Sequence, residues 1–182
     1  MDIYHLVKYL FKKTLNYKVN SMESDYVDTV LAQWVAARPD LDCAAMGIAG
    51  RLKRTSAAWG KKMDATFKLH DMNSIDFDIL ATLRRTAVDV TPTELYQTLM
   101  LSSGAMSTKI EQLVKRDLVS RVASDEDRRS CKLKLTPLGV EVIDAALDYH
   151  VANLDRLTGV LNHKEQEQLA GLLRKILIAE TE

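Results

Sequence analysis

The sequence of residues 91–118, TPTELYQTLMLSSGAMSTKIEQLVKRDL, predicts two short helices in direct succession. Thr91 suits the N-cap of the first helix, Pro92 suits its first position, and Glu94 completes a capping box. The second helix begins near Ser103, and its apolar side chains recur with the spacing of one helix face. Two short helices joined by about three residues are typical of a helix-turn-helix.

An alternating segment follows, and residues 119–136 predict a β-hairpin. The outgoing strand is VSRVAS, and the returning strand CKLKLT places Cys131, Leu133 and Leu135 on one face. The tip between the strands, Asp125–Arg129, holds three acids and two arginines. A helix-turn-helix followed directly by a charged hairpin predicts a winged helix, whose second helix enters the major groove of DNA.

Helical patterns dominate the remaining chain, so the predicted fold class is mostly α with a small β-hairpin wing. Residues 1–21 are interpreted as a basic amphipathic extension, and 22–72 as N-terminal helices. Residues 73–136 form the predicted winged helix-turn-helix domain, and 137–182 the C-terminal helices, whose seam-like apolar faces predict dimerisation. The last helix is expected to turn its apolar side chains inward: Leu169, Leu172, Leu173, Ile176 and Leu177.

Composition narrows the class of protein. The chain has 182 residues, 47% of them hydrophobic, which is enough for a core of its own. Lys plus Arg and Asp plus Glu both number 25, so the net charge is zero. No apolar run approaches the ~18 residues of a membrane span, and no signal peptide is evident. We therefore expect a cytoplasmic protein that does not bind membranes.

Residue types that support catalysis or metal binding are sparse in the sequence. Cys43 and Cys131 are isolated, which suits a reducing compartment and excludes a disulfide framework. The four histidines show no metal-ligand spacing. No glycine-rich phosphate loop, nucleophile elbow or acid pair is visible. We expect neither an enzyme nor a bound metal or cofactor.

The second helix of the helix-turn-helix is predicted to contact duplex DNA. Its amino-terminal half presents small polar and basic side chains that can reach base edges and phosphates: Ser102, Ser103, Ser107, Thr108 and Lys109. From Ser102 to Lys132, seven Lys or Arg oppose five Asp or Glu, a balance of +2. Attraction to phosphates by one copy is therefore expected to be modest, and a dimer would double it.

The hairpin tip is the second predicted DNA contact. Arg128 and Arg129 suit the narrow and strongly negative minor groove, and Asp127 would hold an arginine extended toward it. The alternative is a solvated tip whose acids and arginines only neutralise one another.

The wing sequence DEDRRSCKLKLTPLG resembles that of the MarR family of winged-helix repressors, and the match continues through the helix-turn-helix. It covers the chain from about Met22 onward. The resemblance implies an obligate dimer, built from amino- and carboxy-terminal helices, that binds pseudo-palindromic operators. Two positions depart from the family pattern: Lys109 stands where relatives often have Arg, and Asp117 where they often have Gly.

The segments LAQWVAARPDLD and DFDILATLRR resemble the PecS-like, urate-responsive branch of that family. The resemblance implies a purine pocket formed together with the N-terminal helices, at Trp34, Asp78, Arg85 and Arg121. Urate is a flat anion ringed with N–H donors and carbonyl acceptors, which Trp can stack on and Arg and Asp can bind. The alternative is a core tryptophan and a structural ion pair of Asp78 with Arg121 or Arg85.

These features predict a homodimeric transcription repressor that a small anionic aromatic ligand, such as urate, releases from its operator. Two alternatives stay open. One is a thiol-based redox regulator acting through Cys43. The other is an interaction protein that has this fold and binds no operator, which the zero net charge and Lys109 favour.

Overall fold

The computed structural model describes residues 24–86, 90–99, 102–123 and 131–180. These residues form seven helices and one two-stranded antiparallel sheet, which confirms the predicted fold class. The chain divides into two compact units, one ending at Ala58 and the other beginning at Trp59. The predicted N-terminal extension, residues 1–21, lies outside the described residues.

The first unit contains α1 (Tyr26–Ala37) and the beginning of α2 (Ala44–Lys68). Asp25 caps α1 because its carboxylate accepts hydrogen bonds from the N–H groups of Val27 and Asp28. Val27 and Leu31 are buried together with Cys43. The Arg51 guanidinium reaches from α2 to the start of α1, 2.8 Å from Asp25 and 2.6 Å from Asp28. Arg54, one turn further along α2, lies with its guanidinium carbon 4.0 Å from the ring centroid of Tyr26. Two arginines of α2 therefore contact the start of α1.

The second unit is built around α3 (Ser74–Arg85), most of which is buried. Asn73 and Asp76 form a capping box at its start, and arginines occupy its last turn, as the helix dipole favours. Ile79 and Leu80 are fully buried in the main hydrophobic core.

The helix-turn-helix consists of α4 (Pro92–Thr98) and α5 (Ser103–Lys115). The Thr91–Glu94 capping box is present, and Ser102 caps α5. Met106, Ile110 and Leu113 bury one face of α5 in the core. The predicted helix-turn-helix is confirmed, with the end of α4 at Thr98.

The hairpin consists of β1 (Val119–Ala123) and β2 (Cys131–Leu135), paired so that Val119 faces Leu135 and Arg121 faces Leu133. Leu133 is buried, and its N–H donates to the carbonyl of Val90 across an isolated bridge. The strands are therefore fixed to the helical core through Leu133. The tip, residues 124–130, lies outside the described residues.

Two helices complete the chain, α6 (Pro137–Thr158) and α7 (His163–Ala179). Thr136 caps α6, and an Asn162–Glu165 capping box begins α7. The expectation that the apolar face of α7 points inward is wrong for the single chain, because α7 contains no buried residue. Leu169, Leu172, Leu173 and Ile176 are 40–55% exposed. Helical spacing identifies an apolar face but does not say whether the rest of the chain covers it.

No helix among the described residues combines the length and apolar character needed to cross a bilayer.

Candidate nucleic-acid interface and ligand site

The amino-terminal half of α5 presents a small and polar surface. Ser102 accepts a hydrogen bond from the Ala105 N–H at 3.3 Å, which orders the start of the helix. Ser103, Ser107 and Thr108 are exposed. The Thr108 hydroxyl donates to the Gly104 carbonyl at 3.1 Å and keeps its acceptor capacity. Slim side chains of this kind let a helix approach a phosphate or a base edge closely.

Contrary to the sequence prediction, the Lys109 side chain does not point outward. Its ammonium lies 3.2 Å from the Asp76 carboxylate of α3, and its side chain is only 22% exposed. The exposed neighbours Ser107 and Thr108 point to solvent instead. The physical reason is position 109 itself, which borders the buried face of α5, where a long side chain can extend toward α3.

The predicted tip residues Asp127, Arg128 and Arg129 lie outside the described residues. The strands on either side of the tip are described, and their antiparallel pairing continues to Ala123 and Cys131. The hairpin therefore extends to the two ends of the tip segment.

Two of the four predicted ligand residues lie on α3. Asp78 stays exposed at the surface, yet partial burial raises the pKa of its carboxyl group, against the opposing charges of Arg85 and His150. Arg85 is exposed seven residues later in the last turn, about 10 Å along the same face. The charge of Arg85 therefore acts on the Asp78 carboxylate, although the two side chains form no ion pair.

The other two ligand residues are Arg121 and Trp34. Arg121 is exposed on β1. No ion pair joins Asp78 to Arg85 or Arg121 among the described side chains, so the structural ion pair weighed as an alternative is not formed there. Trp34 belongs to the first unit and is 40% exposed on α1, which is not the burial of a core tryptophan.

Sequence reasoning missed two side chains that the structure makes prominent. His150 of α6 lies against Phe67 and Phe77, with ring centroids 5.3 and 4.8 Å away. Its buried Nδ1 has no hydrogen-bond partner among the described residues. Its only sequence signal was its place in the apolar seam of α6. Asp76 is the second, and its signal was the capping-box spacing from Asn73.

The redox alternative rests on Cys43, which is buried. Its thiol is 3.6 Å from the Leu41 carbonyl, in the position of a weak hydrogen-bond donor. Burial of this kind suits a structural cysteine better than a reactive one. Within the described ranges, no cluster of three or more His, Cys, Asp or Glu could hold a metal ion.

Comparisons with known proteins identify relatives of this fold. The sequence model of the MarR family matches residues 70–130. PecS, an HTH-type transcriptional regulator of Dickeya dadantii, is 29% identical over 152 residues, covering 82% of this chain and 92% of PecS. The multiple antibiotic resistance protein MarR of Salmonella typhimurium is 30% identical over 108 residues, covering 59% of this chain and 74% of that protein.

A solved structure shows the same fold. A crystal structure of a mutant MarR from Escherichia coli complexed with operator DNA matches with a TM-score of 0.65 at 22% identity. The match covers 85% of this chain and 99% of that one. The helix-turn-helix, the wing and these sequence matches together show that the chain belongs to the MarR family of winged-helix transcriptional regulators.

Proposed function

We propose that the chain is a cytoplasmic, homodimeric transcription repressor that binds a pseudo-palindromic operator and leaves it when a small aromatic anion binds. The observation that carries this proposal is α5. It is capped and buried along one face, presents small polar side chains on the other, and is followed directly by a hairpin. That is the geometry of a recognition helix with a wing.

In this proposal the exposed side chains of α5, namely Ser103, Ser107 and Thr108, contact the major groove. Ser102 at the helix start faces a phosphate, where the helix dipole and free N–H groups favour an anion. Hydroxyl groups of this kind give modest base preference, so shape and spacing of two half-sites carry much of the specificity.

The wing supplies the minor-groove contact through Arg128 or Arg129, with Asp127 orienting the arginine. Arginine suits the narrow minor groove because its potential is strongly negative there. The support is the charge pattern of the tip and the paired strands that lead to it.

A dimer is proposed because α7 leaves a row of leucine and isoleucine side chains exposed in the single chain. Contiguous exposed apolar faces of this kind mark protein–protein interfaces in soluble proteins. A two-fold dimer places two recognition helices about one DNA turn apart, ~34 Å, which matches a pseudo-palindromic operator.

The proposed ligand is urate or a related oxidised purine, bound by Trp34, Asp78, Arg85 and Arg121. The support is chemical. Partial burial makes the charged form of the Asp78 carboxylate less stable, and N–H groups donated by a ligand would stabilise that charged form. Arg85 and Arg121 are exposed and free of ion pairs among the described residues, so both can receive an anion.

The operator proposal is tested by titrating the protein against its own upstream DNA and against a random duplex of equal length. We expect at least about a thousandfold preference for the operator, the lower end for specific regulators. The variant Arg129→Ala should lose about 1–3 kcal/mol of operator binding. Equal affinity for both duplexes would favour an interaction protein without an operator.

The ligand proposal is tested by the fluorescence of the two tryptophans in the presence of urate, xanthine or hypoxanthine. Trp34→Phe leaves Trp59 as a background signal, so the difference reports Trp34. We expect quenching of Trp34 and release of DNA, both weakened in Asp78→Ala. Unchanged fluorescence and unchanged DNA binding at millimolar purine would contradict the ligand and leave the operator proposal standing.

A further inference from the structure

The carboxylate of Asp76 is shared between two helices. One of its oxygens accepts a hydrogen bond from the Asn73 N–H at 3.2 Å, within the capping box of α3. The other oxygen accepts from the Lys109 ammonium at 3.2 Å, which belongs to α5. Asp76 thus closes the start of α3 and holds the middle of α5 with a single side chain.

This pair is sheltered from water on both sides. The Asp76 side chain is 9% exposed and that of Lys109 is 22% exposed. Surface ion pairs contribute little because water and salt screen them, whereas a sheltered pair leaves a costly unpaired charge when one partner is removed. A lysine reaching for DNA phosphates would instead extend its ammonium into solvent.

We propose that Lys109 is a positioning residue, which sets the orientation of α5 through Asp76 and does not bind DNA itself. This proposal rests on the proposed function, because orientation of α5 matters only if α5 contacts an operator. Asp76 stands two residues before Asp78 on the same helix. The pair therefore joins the helix that carries two proposed ligand residues to the helix that contacts DNA.

The charges of the two residues make the proposal testable. Lys109→Met removes a positive charge, and Asp76→Asn removes a negative one while keeping an acceptor oxygen for the cap. If charge near DNA decides affinity, the two variants change affinity in opposite directions and the double variant returns toward the wild type. If orientation decides, both single variants weaken operator binding and the double variant is no worse than either.

The experiment measures affinity for the protein's own operator and for a random duplex by fluorescence anisotropy at several salt concentrations. The proteins are wild type, Lys109→Met, Asp76→Asn, the double variant and the control Lys115→Met, which is made alone and together with Asp76→Asn. Lys115 is exposed on the same helix, so the control removes the same charge without touching Asp76. Circular dichroism of each variant confirms that it is folded.

We expect both single variants and the double variant to bind the operator about tenfold more weakly, because the two residues act as one unit. Binding to the random duplex and the slope of affinity against salt should stay unchanged, since no phosphate contact is lost. A loss of stability alone would not change the ratio of operator to random binding in the folded protein. The effect of Lys115→Met should be the same in the wild type and in the Asp76→Asn variant.

Three outcomes would overturn the proposal. In the first, Lys109→Met lowers the salt slope by about one, the signature of a lost phosphate contact, while Asp76→Asn tightens binding or leaves it unchanged. In the second, neither single variant changes operator affinity. In the third, the wild type shows no preference for the operator, which overturns the proposed function as well. If Asp76→Asn does not fold, the salt slope of Lys109→Met still distinguishes a lost phosphate contact from a lost orientation of α5.

Discussion

Gly139 lies in the first turn of α6, against the backbone of Leu118. A Cβ atom at this position would collide with the Leu118 carbonyl oxygen, which belongs to backbone and cannot swing aside. The Leu118 carbonyl oxygen also accepts a hydrogen bond from the Thr136 N–H at 3.1 Å, which fixes the start of α6 against this segment of backbone. Only glycine lets the start of α6 pack this closely on the chain that leads into the wing.

We expect Gly139→Ala to lower the free energy of unfolding by about 1–3 kcal/mol, the usual cost of forcing extra volume into a packed site. Urea denaturation at fixed protein concentration measures it. The control is Gly60→Ala in α2, where a Cβ meets open space and the higher helix propensity of alanine should be neutral or stabilising. Equal midpoints for the two variants would show that α6 can shift without cost.

His150 makes a second prediction at this scale. Burial against two phenylalanines lowers its pKa, while the charge of Asp78 opposes this effect. The folded protein therefore favours the neutral ring, and the unfolded chain takes up the proton first. Stability from this residue is fully present above the ordinary histidine pKa of about 6.5 and is lost as the pH falls below it.

The measurement compares unfolding of wild type and His150→Phe at pH 7.5 and 5.5, at one protein concentration. Phenylalanine keeps the ring but cannot be protonated, so the variant should lose less stability on acidification. His163→Phe is the matched control, because the His163 side chain is 87% exposed. An identical loss in all three proteins would contradict the prediction.

Lys109 shows why single side chains are harder to predict than helices. Helical spacing placed it beside Ser107 and Thr108, and that placement along the helix is right. Spacing does not report where the end of a long side chain goes, and the partner Asp76 is 33 residues away in the sequence. Pairings over such distances depend on how helices pack, which no local pattern encodes.

At the scale of elements, the capping residues were the sequence signal that best predicted where helices begin. The Thr91–Glu94 box forms where its spacing predicted, because a cap involves only neighbouring backbone groups. The Asn162–Glu165 box at the start of α7 has the same three-residue spacing. The strands of the wing follow from strict alternation for the same local reason. The face of α7 could not be assigned, because covering it depends on groups outside its own sequence.

The short helix α4 supplies the prediction for this scale. Its seven residues gain little from helix propagation, so its cap matters more than in a long helix. Thr91 accepts from the Glu94 N–H at 3.2 Å, and Glu94 accepts from the Thr91 N–H at 2.8 Å. We expect Thr91→Ala to cost about 1 kcal/mol of stability and to speed amide exchange in α4.

Thr91→Ser is the control for this cap, since it keeps the hydroxyl acceptor and should retain protection in α4. Faster exchange confined to other helices in Thr91→Ala would mean that the cap does not set the stability of α4.

At the scale of the whole molecule, α7 has no buried residue in the described chain. A form of the protein that keeps this apolar helix out of water therefore needs a further surface to cover it. The exposed leucine and isoleucine side chains lie three and four residues apart along one face, the spacing of a helix–helix contact. A second copy of the chain offers the same face, so an isologous dimer can cover both. Folding and dimer formation should then be linked, and the unfolding midpoint should rise with protein concentration.

The variant Leu172→Ser/Ile176→Ser tests this link, because it removes apolar area at two positions that are 55% and 47% exposed in the single chain. If water surrounded both side chains in the native form, the change would be neutral. If a partner covers them, each side chain loses about 1 kcal/mol of burial, because each is already about half buried in the single chain. The loss occurs at two positions in both protomers, so it should weaken the dimer by roughly two orders of magnitude or more. Sedimentation at micromolar concentration then shows monomers, and operator affinity falls because two half-sites are no longer bound together.

Val160→Ser is the matched control, since Val160 is 84% exposed just after α6 and lies off this face. A double variant that remains a dimer with an unchanged, concentration-independent midpoint would place the interface elsewhere.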